Sequence, residues 1–371
     1  MRIAILGTRG IPANYGGFET FAEECASRLA ARGHEVTVYG RSHYVPRHLR
    51  SHRGVAVAVL PTVPLKYTDT VVHTLLSVFH TLPRGFDVIL ICNAANSYVA
   101  WLPRLAGARV VVNVDGIERL RRKWNRLGRF WYRLSEYFSV WFPHEIVTDA
   151  RCIESYYRER YGVRSEFIPY GTTTERPASD TQLRRLGLAS RDYFLYVSRL
   201  EPENNAHQVV RAFERTSTSK RLVVVGDAPY SRKYIRELKR TPDPRILFAG
   251  AIYGDGYRQL MAGAFCYIHA TEVGGSHPAL IEAMGQGNLI VANSTPENEE
   301  VLGGCGILYA HNDIDDLAGR MQDIIDNPQN YSGFGPAARA RAVSEYSWEA
   351  VVDRYERLFE RLVAETSPAH G

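Results

Sequence analysis

Short apolar strands alternate with helical segments along nearly the whole chain, and this alternation starts twice. The first run contains predicted strands at 2–6, 36–39, 55–60, 88–92, 110–114, 145–149 and 165–168. The second run contains predicted strands at 193–197, 221–225, 246–249, 266–269 and 289–292. Strands that are separated by helices form parallel sheets with helices on both faces. The sequence therefore predicts an α/β protein with two Rossmann-like, doubly wound domains that face a cleft.

A segment with turn chemistry separates the two runs. Residues 169–177, Pro-Tyr-Gly-Thr-Thr-Thr-Glu-Arg-Pro, show no apolar period. A chain of 371 residues is also long for a single hydrophobic core. We therefore predict domains at 1–171 and 172–346, with a C-terminal helix at 347–366 that returns to the first domain.

The composition excludes several classes of protein. No apolar run approaches the ~18 residues that a membrane-spanning helix requires, and the apolar stretch at 3–6 is too short for a signal peptide. The five cysteines form no Cys-x-x-Cys pair, which is typical of a reducing cytoplasm and argues against structural zinc. We therefore expect a cytoplasmic protein that binds no zinc.

The most informative stretch is a strand, a Gly-Gly-Ser-His-Pro loop, a short helix and a second strand over 266–292. Amides that open a helix lack partners and attract anions. Glu272 precedes the loop and Glu282 lies inside the predicted helix, which favours a polyhydroxylated ligand that carries a phosphate. Taken alone, the stretch is more typical of an ordinary strand-loop-helix unit, and only the rest of the chain favours a site.

The first domain opens with a glycine-rich loop at 7–19, in which Gly16 and Gly17 precede the first helix. The loop matches neither the dinucleotide fingerprint nor a P-loop. We therefore predict either a simple turn or the close approach of a phosphate or sugar. Asn93 and Asp115 follow later strands, where ligands of doubly wound sheets bind, although such residues also form plain turns.

A basic and aromatic segment lies at 118–141. Its apolar residues step by three and four, which predicts one continuous helix: Leu120, Trp124, Leu127, Trp131, Leu134, Phe138 and Trp141. Its basic residues have no acidic neighbour between Arg119 and Arg133. One interpretation is a core helix with a solvated basic face. The other is docking of 119–141 on an anionic membrane surface or an anionic acceptor. Binding of nucleic acid by the same charges is disfavoured.

An acidic group at Asp313-x-Asp315-Asp316 resembles a metal-binding cluster. Acidic residues also favour helix N-termini, and apolar residues at helical spacing follow over 317–325. We therefore predict a helix cap and no metal site.

Three marks carry a resemblance to a known family. The paired-glycine loop opens the first domain, Val197-Ser-Arg199-Leu opens the second, and Glu-Ala-Met-x-x-Gly-x-x-Ile begins at Glu282. Over nearly the whole chain, this pattern resembles the retaining GT-B glycosyltransferases of the large family numbered four. The resemblance implies metal-independent sugar transfer from a nucleotide-sugar donor bound by the second domain to an acceptor bound by the first, with no cofactor.

Three departures from the family pattern resemble a narrower branch. Glu272 and Glu282 lie ten residues apart rather than eight, Asn204 replaces a basic residue, and Asp115 stands where a histidine is frequent. Bacterial rhamnosyltransferases that use dTDP-rhamnose and extend lipid-linked or cell-surface saccharides are similar in these respects and in the segments 7–19 and 115–118. The resemblance therefore implies L-rhamnose as the transferred sugar and a peripheral position on the inner face of the membrane.

The resemblance also implies the site residues. The catalytic residues are Asp115, Arg199 and Glu272. The donor-binding residues are Gly16, Gly17, Arg199, Asn204, Gly226, Asp227, Gly274, Gly275, Ser276, His277, Pro278 and Glu282. The acceptor-binding residues are Arg9, Asn14, Tyr15, Glu19, Asn93, Glu118 and Lys123.

Each of the main residues has an implied role. Arg199 stabilises the diphosphate, Glu282 accepts a hydrogen bond from the nucleotide sugar, and Glu272 holds hydroxyls of the donor sugar. Asp115 orients the acceptor hydroxyl or acts as its base with help from Glu19. His277 is expected to orient the donor as a neutral side chain, because it opens a helix.

Three other functions stay open from the sequence. The donor is a UDP-sugar or a GDP-sugar in the first alternative. In the second, the protein is a GT-B nucleotide-sugar 2-epimerase, which needs no basic and aromatic surface helix. In the third, it binds a nucleotide-sugar without catalysis. A phosphorylase is disfavoured because no lysine is placed for a pyridoxal cofactor.

Overall fold

The computed structural model describes residues 1–14, 16–65, 68–121, 124–228 and 231–365. The chain divides into two compact units, of which one comprises 1–170 with the residues from 348 onward, and the other comprises 171–347. Each unit contains a largely parallel sheet covered by helices. The predicted fold class of two Rossmann-like α/β domains is therefore confirmed.

The first unit contains an eight-stranded sheet. Its strands are β1 (Arg2–Leu6), β2 (Glu35–Arg41), β3 (Ser51–His52), β4 (Val55–Leu60), β5 (Val88–Cys92), β6 (Arg109–Val114), β7 (Glu145–Thr148) and β8 (Glu166–Phe167). Its helices up to this point are α1 (Gly17–Ala31), α2 (Asp69–Thr81), α3 (Trp101–Leu105), α4 (Arg126–Trp141) and α5 (Arg151–Tyr161). The strand order is β3-β4-β2-β1-β5-β6-β7-β8, and only the β3–β4 pair is antiparallel.

The second unit contains a six-stranded parallel sheet. Its strands are β9 (Tyr193–Val197), β10 (Arg221–Val225), β11 (Ile246–Gly250), β12 (Cys266–His269), β13 (Leu289–Asn293) and β14 (Ile307–Tyr309). Its helices are α6 (Thr181–Arg185), α7 (Ala206–Glu214), α8 (Arg232–Leu238), α9 (Gly254–Gly263), α10 (Pro278–Gly285), α11 (Pro296–Leu302), α12 (Ile314–Asp326) and α13 (Phe334–Glu345). The strand order is β11-β10-β9-β12-β13-β14.

The central strands of both sheets are buried on two faces, as is typical of parallel sheets. All five residues of β5 are buried, and so are all four of β12. The strand order reverses between β1 and β5 in the first sheet and between β9 and β12 in the second. Ligands of open α/β sheets bind beyond the carboxyl ends of the strands at such reversals.

The C-terminal helix α14 (Trp348–Ala364) packs within the first unit, although it follows the second unit in the chain. Its Tyr355 ring lies 5.2 Å from the ring of Phe21 on α1, and Arg32, which directly follows α1, forms ion pairs with Asp353 and Glu356. An apolar contact and a charged rim therefore hold α14 against α1.

The predicted continuous helix over 118–141 is wrong. Glu118–Leu120 forms a short 3-10 helix, and α4 begins only at Arg126. The cause is Asn125, whose side-chain oxygen accepts a hydrogen bond from the Gly128 amide at 2.9 Å and so caps a new helix. Periodicity alone does not detect this cap, because the apolar spacing continues across it.

Helix α4 buries a few small or polar residues, and several of its apolar residues are exposed. Its buried residues are Gly128, Ser135, Glu136 and Ser139, whereas Leu127, Phe130, Tyr137 and Trp141 are exposed. Trp131, Leu134 and Phe138 of the predicted apolar stripe are half-buried, so the stripe does not enter the core as a fully buried face. None of the helices in the described residues is long and apolar enough to cross a membrane.

The acidic residues at 313–316 act as a helix cap. The Asp313 carboxylate accepts hydrogen bonds from the amides of Asp315 and Asp316 at 2.8 and 3.1 Å, at the start of α12. The predicted cap is therefore confirmed.

Candidate active site

The candidate donor site lies at the strand reversal of the second sheet. Arg199 follows β9, Gly226 and Asp227 follow β10, and Glu272 with the glycine loop follows β12. Because β9 and β12 are neighbours, the loops after them share one edge of the sheet. Backbone contact joins the two loops, since the Glu272 amide donates to the Glu203 carbonyl at 3.2 Å.

Hydrogen bonds brace the loop that carries Arg199. The Tyr196 hydroxyl donates to the Asn204 carbonyl at 2.5 Å, and the Asn204 side chain donates to the Arg199 carbonyl at 2.7 Å. Asn204 therefore supports the backbone of Arg199. A direct contact of Asn204 with the donor stays a prediction.

Gly226 is required by the close approach of two loops. Its φ is +144°, and a Cβ atom at this position would lie 1.8 Å from the Ser198 carbonyl oxygen. Any other residue would push the turn after β10 away from the turn after β9. The adjacent Asp227 carboxylate accepts a hydrogen bond from the Ala228 amide at 2.8 Å.

The loop between β12 and α10 folds back on itself. The His277 ring lies over Gly274, so that a Cβ atom on Gly274 would come within 2.3 Å of the ring. Gly274, Gly275 and Ser276 are buried, and Pro278 is the first residue of α10. The glycine loop therefore sets the position of His277, which is consistent with its predicted orienting role.

A second histidine lies beneath this loop. The His269 ring is 4.7 Å from the His277 ring, and burial lowers the pKa of His269 to about 3. His269 is therefore neutral at physiological pH and adds no positive charge to the site. Sequence analysis did not single it out, because it reads as the last residue of a buried strand.

Tyr257 on α9 adds a partner for Glu282 that the sequence did not indicate. Its hydroxyl donates a hydrogen bond to the Glu282 carboxylate. Burial, and then the charge of Glu282, raise the pKa of Tyr257 well above its usual value, so the phenol stays protonated. Twenty-five residues separate the two in the chain, and no local spacing predicts such a pair.

Asn312, which follows β14, contacts Glu272 in the same way. The Asn312 side-chain amide donates to the Glu272 carboxylate at 2.7 Å across forty residues of sequence. Sequence analysis missed Asn312, because it stands beside the acidic group at 313–316 and reads as part of a turn.

The first unit has its own group of candidate residues near the reversal of its sheet. Glu19 on α1 is buried, and its carboxylate accepts a hydrogen bond from the Arg9 amide at 2.9 Å. The Arg9 guanidinium lies 3.8 Å from the same carboxylate and stacks over the Tyr44 ring. The Asn14 side chain donates to the Tyr44 carbonyl at 3.0 Å, so Asn14 holds the loop as well.

Acidic residues follow two neighbouring strands of this sheet, Asp115 after β6 and Asp149 after β7. Glu19 and Asp115 both contribute, after burial, to a raised pKa of the Cys92 thiol. Asp115 and Asp149 contribute in the same way to a raised pKa of Tyr170. Asp149 directly follows β7 and is buried. No sequence pattern distinguished it from other acids at strand ends.

The remaining predicted residues of the first unit make local contacts that do not point to a ligand. Gly16 has an extended backbone, and a Cβ atom there would lie 3.5 Å from Glu19, so neither strain nor crowding requires glycine. Gly17 is the first residue of α1. Asn93 accepts a hydrogen bond from the Ala95 amide, and Glu118 pairs with Arg121. Tyr15 and Lys123 lie outside the described residues.

Among the residues that the structure describes, no group of three or more His, Cys, Asp and Glu side chains is arranged to hold a metal ion. The positive groups at the candidate donor site are the Arg199 side chain and the amides that open α10. Both suit an anionic ligand.

An exposed apolar and basic surface lies on the first unit. Leu127, Phe130, Tyr137 and Trp141 of α4 are exposed by 75%, 63%, 52% and 62%. Further exposed apolar side chains lie on α2 and α3: Leu76, Phe79, Trp101 and Leu105. Arg104 of α3 donates to the carbonyls of Phe142 and Pro143, just beyond α4. The exposed face of α4 that carries Leu127, Phe130, Tyr137 and Trp141 is called the α4 face below.

Comparisons with known proteins agree with this division of the chain. A family described as "Glycosyl transferases group 1" matches residues 191–327. A second family, described as "Glycosyl transferase 4-like domain", matches residues 16–171. The two matches fall in different units and together cover most of the chain.

One curated relative is similar over nearly its full length. It is the GDP-mannose-dependent alpha-(1-6)-phosphatidylinositol monomannoside mannosyltransferase of Mycolicibacterium smegmatis, 26% identical over 96% of this chain and 97% of that protein. This chain is also similar to the O-antigen chain mannosyltransferase B of Escherichia coli. The two are 22% identical over 50% of this chain and 49% of that relative.

Two solved structures share the fold over nearly their full length. Sucrose-phosphate synthase from Thermosynechococcus elongatus matches with a TM-score of 0.81 at 19% identity, over 98% of this chain and 100% of that one. Anabaena HepE in complex with UDP-glucose matches with a TM-score of 0.80 at 19% identity, over 97% and 100%. At these identities the likeness concerns the fold alone.

Proposed function

We propose that this chain, which belongs to the group 1 glycosyltransferases with the GT-B fold, is a metal-independent, retaining hexosyltransferase. The proposed donor is dTDP-rhamnose, and the proposed acceptor is a lipid-linked saccharide of a cell-surface polysaccharide. One observation carries the proposal: Arg199, Glu272 and Glu282 share the carboxyl edge of the second sheet with the start of α10.

Donor activation is assigned to the second unit. As the bond between the anomeric carbon and the diphosphate oxygen breaks, negative charge develops on the leaving diphosphate. Arg199 and the backbone N–H groups of Ser276 and His277, which precede Pro278 at the start of α10, stabilise that charge in place of a metal ion. Glu282, held by Tyr257, accepts a hydrogen bond from the nucleotide sugar, and Glu272 holds hydroxyls of the donor sugar.

Acceptor activation is assigned to the first unit. The acceptor hydroxyl attacks the anomeric carbon from the face that the diphosphate leaves, and a diphosphate oxygen takes the hydroxyl proton. Asp115 orients that hydroxyl, with Glu19 and Asp149 as neighbouring carboxylates. The supporting observation is that Asp115 and Asp149 follow the neighbouring strands β6 and β7 at the carboxyl edge of the first sheet.

The identity of the donor rests on two different kinds of support. The motifs at 7–19 and 115–118 resemble those of rhamnosyltransferases that use dTDP-rhamnose. GDP-mannose is the second candidate, because it is named for the relative that matches over nearly the whole chain. Acceptors anchored in lipid are in turn consistent with the phosphatidylinositol mannoside in that relative's name.

A transfer assay tests this function. The purified protein is incubated with labelled dTDP-rhamnose, GDP-mannose or UDP-glucose, a lipid extract and excess EDTA. We expect label in the lipid fraction from one donor, and at least a hundredfold less with Arg199→Ala. The matched control is Arg184→Ala, which removes an exposed arginine of the same unit.

Three results would contradict the proposal. Activity that EDTA abolishes and Mg²⁺ restores would exclude metal-independent transfer. Formation of an epimerised donor without any acceptor would identify a 2-epimerase. Donor binding without turnover in every lipid extract would leave a binding protein.

We further propose that the α4 face docks on an anionic membrane. Leu127, Phe130, Tyr137 and Trp141 are exposed along one stripe, and Arg126, Arg129 and Arg133 lie beside it. The single acidic residue of α4, Glu136, is buried. Each basic side chain near an anionic surface contributes about 1 kcal/mol, and the aromatic side chains enter the interface.

Vesicle flotation tests this docking. We expect binding to phosphatidylglycerol vesicles and a loss of at least tenfold in Phe130→Ala/Trp141→Ala, with little change in Val343→Ala, an exposed apolar residue of α13. Equal binding to phosphatidylcholine would contradict an electrostatic contribution. A dimer that requires Phe130 and Trp141 in the absence of vesicles would show that the α4 face is covered by a second copy.

A further inference from the structure

We propose that Asn312 is a positioning residue that holds the Glu272 carboxylate for the donor sugar. The inference rests on the proposed function only for the role of Glu272. The contact itself is independent of that role, because Asn312 and Glu272 both belong to the second unit.

The Asn312 amide uses its whole hydrogen-bonding capacity. Its nitrogen donates to Glu272 Oε2 at 2.7 Å and to His311 Nε2 at 3.0 Å. Its oxygen accepts from the side chains of Asn205 at 2.8 Å and Asn293 at 3.0 Å. Two donated and two accepted bonds fill the capacity of an amide. The two hydrogen bonds accepted by the Asn312 side-chain oxygen therefore hold its nitrogen in place for the contact with Glu272.

The partners also fix which end of the amide faces Glu272. The Asn312 backbone amide donates to Asn293 Oδ1 at 2.9 Å, so the nitrogen of Asn293 points to the Asn312 oxygen. On the other side, His311 Nδ1 donates to the Ser294 carbonyl at 3.2 Å, which leaves Nε2 as an acceptor. A flipped Asn312 amide would break every one of these contacts.

The supporting residues come from four strand ends. Asn205 follows β9, Asn293 ends β13, Asn312 follows β14, and the Asn205 side chain also donates to the carbonyl of Ala270 after β12 at 3.0 Å. Asn205 and Asn293 are buried, with 1% and 0% exposure. Buried amides that are fully paired hold their neighbours in one arrangement. Glu272 is therefore oriented by the sheet rather than by its own loop.

Asparagine suits position 312 for a second reason. Its φ of +57° lies in the left-handed region, which asparagine tolerates better than most residues. An aspartate at this position would fit the same backbone and the same volume. It would also place a second carboxylate 2.7 Å from Glu272, where the wild-type chain has a donor.

The Asn312→Asp substitution should therefore make the contact between residues 312 and 272 depend on pH. Two carboxylates at this distance cannot both ionise without mutual repulsion, so the pair keeps one proton to a higher pH than a single carboxyl would. With one proton, the introduced carboxyl group still donates to Glu272. As pH rises through the apparent pKa of the pair, the contact is lost and Glu272 is displaced.

Titratable groups near the pair include His311, Tyr309 and Asp313, which follows Asn312 in the chain. Burial, and then the Glu272 charge, raise the pKa of Tyr309, so it stays neutral over the range used. His311 contacts the Asn312 side chain directly. The profiles are therefore measured with His311→Gln in both the wild-type and the Asn312→Asp background.

The first readout is the pH–rate profile of sugar transfer. We expect Asn312→Asp to gain a fall in kcat of at least tenfold between pH 5.5 and 8 that the wild type lacks. Asn312→Ala should be slow at every pH, and Glu272→Gln/Asn312→Asp should not show the added fall. Asn330→Asp, an exposed asparagine of the same unit, is the control. A purely structural role would lower stability without adding this fall, and that result would overturn the inference.

The second readout is urea unfolding, which needs no turnover. Between pH 5.5 and 8 we expect Asn312→Asp to lose stability relative to the wild type, and Glu272→Gln/Asn312→Asp to lose none. An equal difference from the wild type at both pH values would overturn the contact itself. Full activity of Glu272→Gln would instead reject the proposed role of Glu272, and absence of transfer by the wild type would reject the proposed function.

Discussion

Single residues of the candidate donor site are held by partners that lie far away in the chain. Glu282 is bound by Tyr257, and Glu272 by Asn312. The sequence indicated both glutamates, because the acids flank a glycine loop at the start of a helix. It did not indicate their partners, since a pair formed across several strands leaves no local spacing to detect.

Gly274 provides a test of the glycine loop. A methyl group at this position would overlap the His277 ring, which is only partly buried and can rotate away. For Gly274→Ala we therefore expect a change in unfolding free energy below ~1 kcal/mol but a loss of roughly tenfold in kcat/KM, because His277 leaves its place.

The matched control is Gly319→Ala in α12, where nothing lies within 4 Å of the added carbon. This exposed helix position should gain about 0.5–1 kcal/mol of stability and leave kcat/KM unchanged. Wild-type kcat/KM in Gly274→Ala would refute the assigned role of the loop.

Among the helices and strands, α4 shows what periodicity captures and what it misses. The regular spacing of apolar residues correctly indicated a helix with a basic side. It could not show that Asn125 caps the start of the helix, or that Leu127 and Trp141 of the apolar stripe are exposed. The orientation is set by polar contacts of Glu136, which hydropathy patterns treat as surface chemistry. The positions of the strands were predicted more accurately than the orientation of α4. A short apolar run between two helices is compatible with few structures other than a buried strand.

Glu136 anchors α4 to the first unit. Its carboxylate accepts from the hydroxyls of Tyr156 and Tyr161 at 2.8 and 3.0 Å and lies 3.1 Å from the Arg119 guanidinium. Burial, and then charge interactions that include Glu136, raise the pKa of Tyr161, so its phenol stays a donor.

Removing this anchor should be costly. We expect Glu136→Ala to lower the free energy of unfolding by about 3 kcal/mol, because a buried charge network loses its acceptor. Glu159→Ala on the exposed side of α5 is the control and should change stability by less than ~0.5 kcal/mol. Equal urea midpoints for the two variants would show that Glu136 does not hold α4.

Across the whole molecule, each unit contains a histidine that is buried and neutral. Burial lowers the pKa of His73 in the first unit to about 4 and that of His269 in the second to about 3. The unfolded chain binds these protons from pH ~6.5 downward, and the folded chain does so only near pH 4 or below. Stability is therefore complete above pH ~6.5 and decreases as pH falls toward 4.

The difference in histidine pKa between the folded and unfolded chain predicts that both units lose stability at acidic pH. Between pH 7 and pH 5, each histidine should lower the free energy of unfolding by about 2 kcal/mol. Urea unfolding at the two pH values measures the loss, and His73→Gln or His269→Gln should each remove one part of it. A stability that is equal at pH 5 and pH 7 in the wild type would contradict the buried neutral state.

The division into two α/β units was readable from the sequence because the alternation of strands and helices starts twice. The return of α14 to the first unit is seen in its contacts with Phe21 of α1 and with Arg32, which directly follows α1. The donor sugar could not be predicted in the same way. Selectivity for a donor depends on a few side-chain contacts, which neither periodicity nor likeness of fold determines. A binding experiment therefore decides more than further comparison.

That experiment is a calorimetric titration of dTDP, UDP and GDP into the purified wild type and into Arg199→Ala. We expect one nucleotide to bind the wild type selectively and to bind Arg199→Ala at least tenfold more weakly. Selective binding of dTDP would support rhamnose, and selective binding of GDP or UDP would keep the transferase and replace the sugar. A folded wild type that binds none of the three would contradict a nucleotide-sugar site in the second unit.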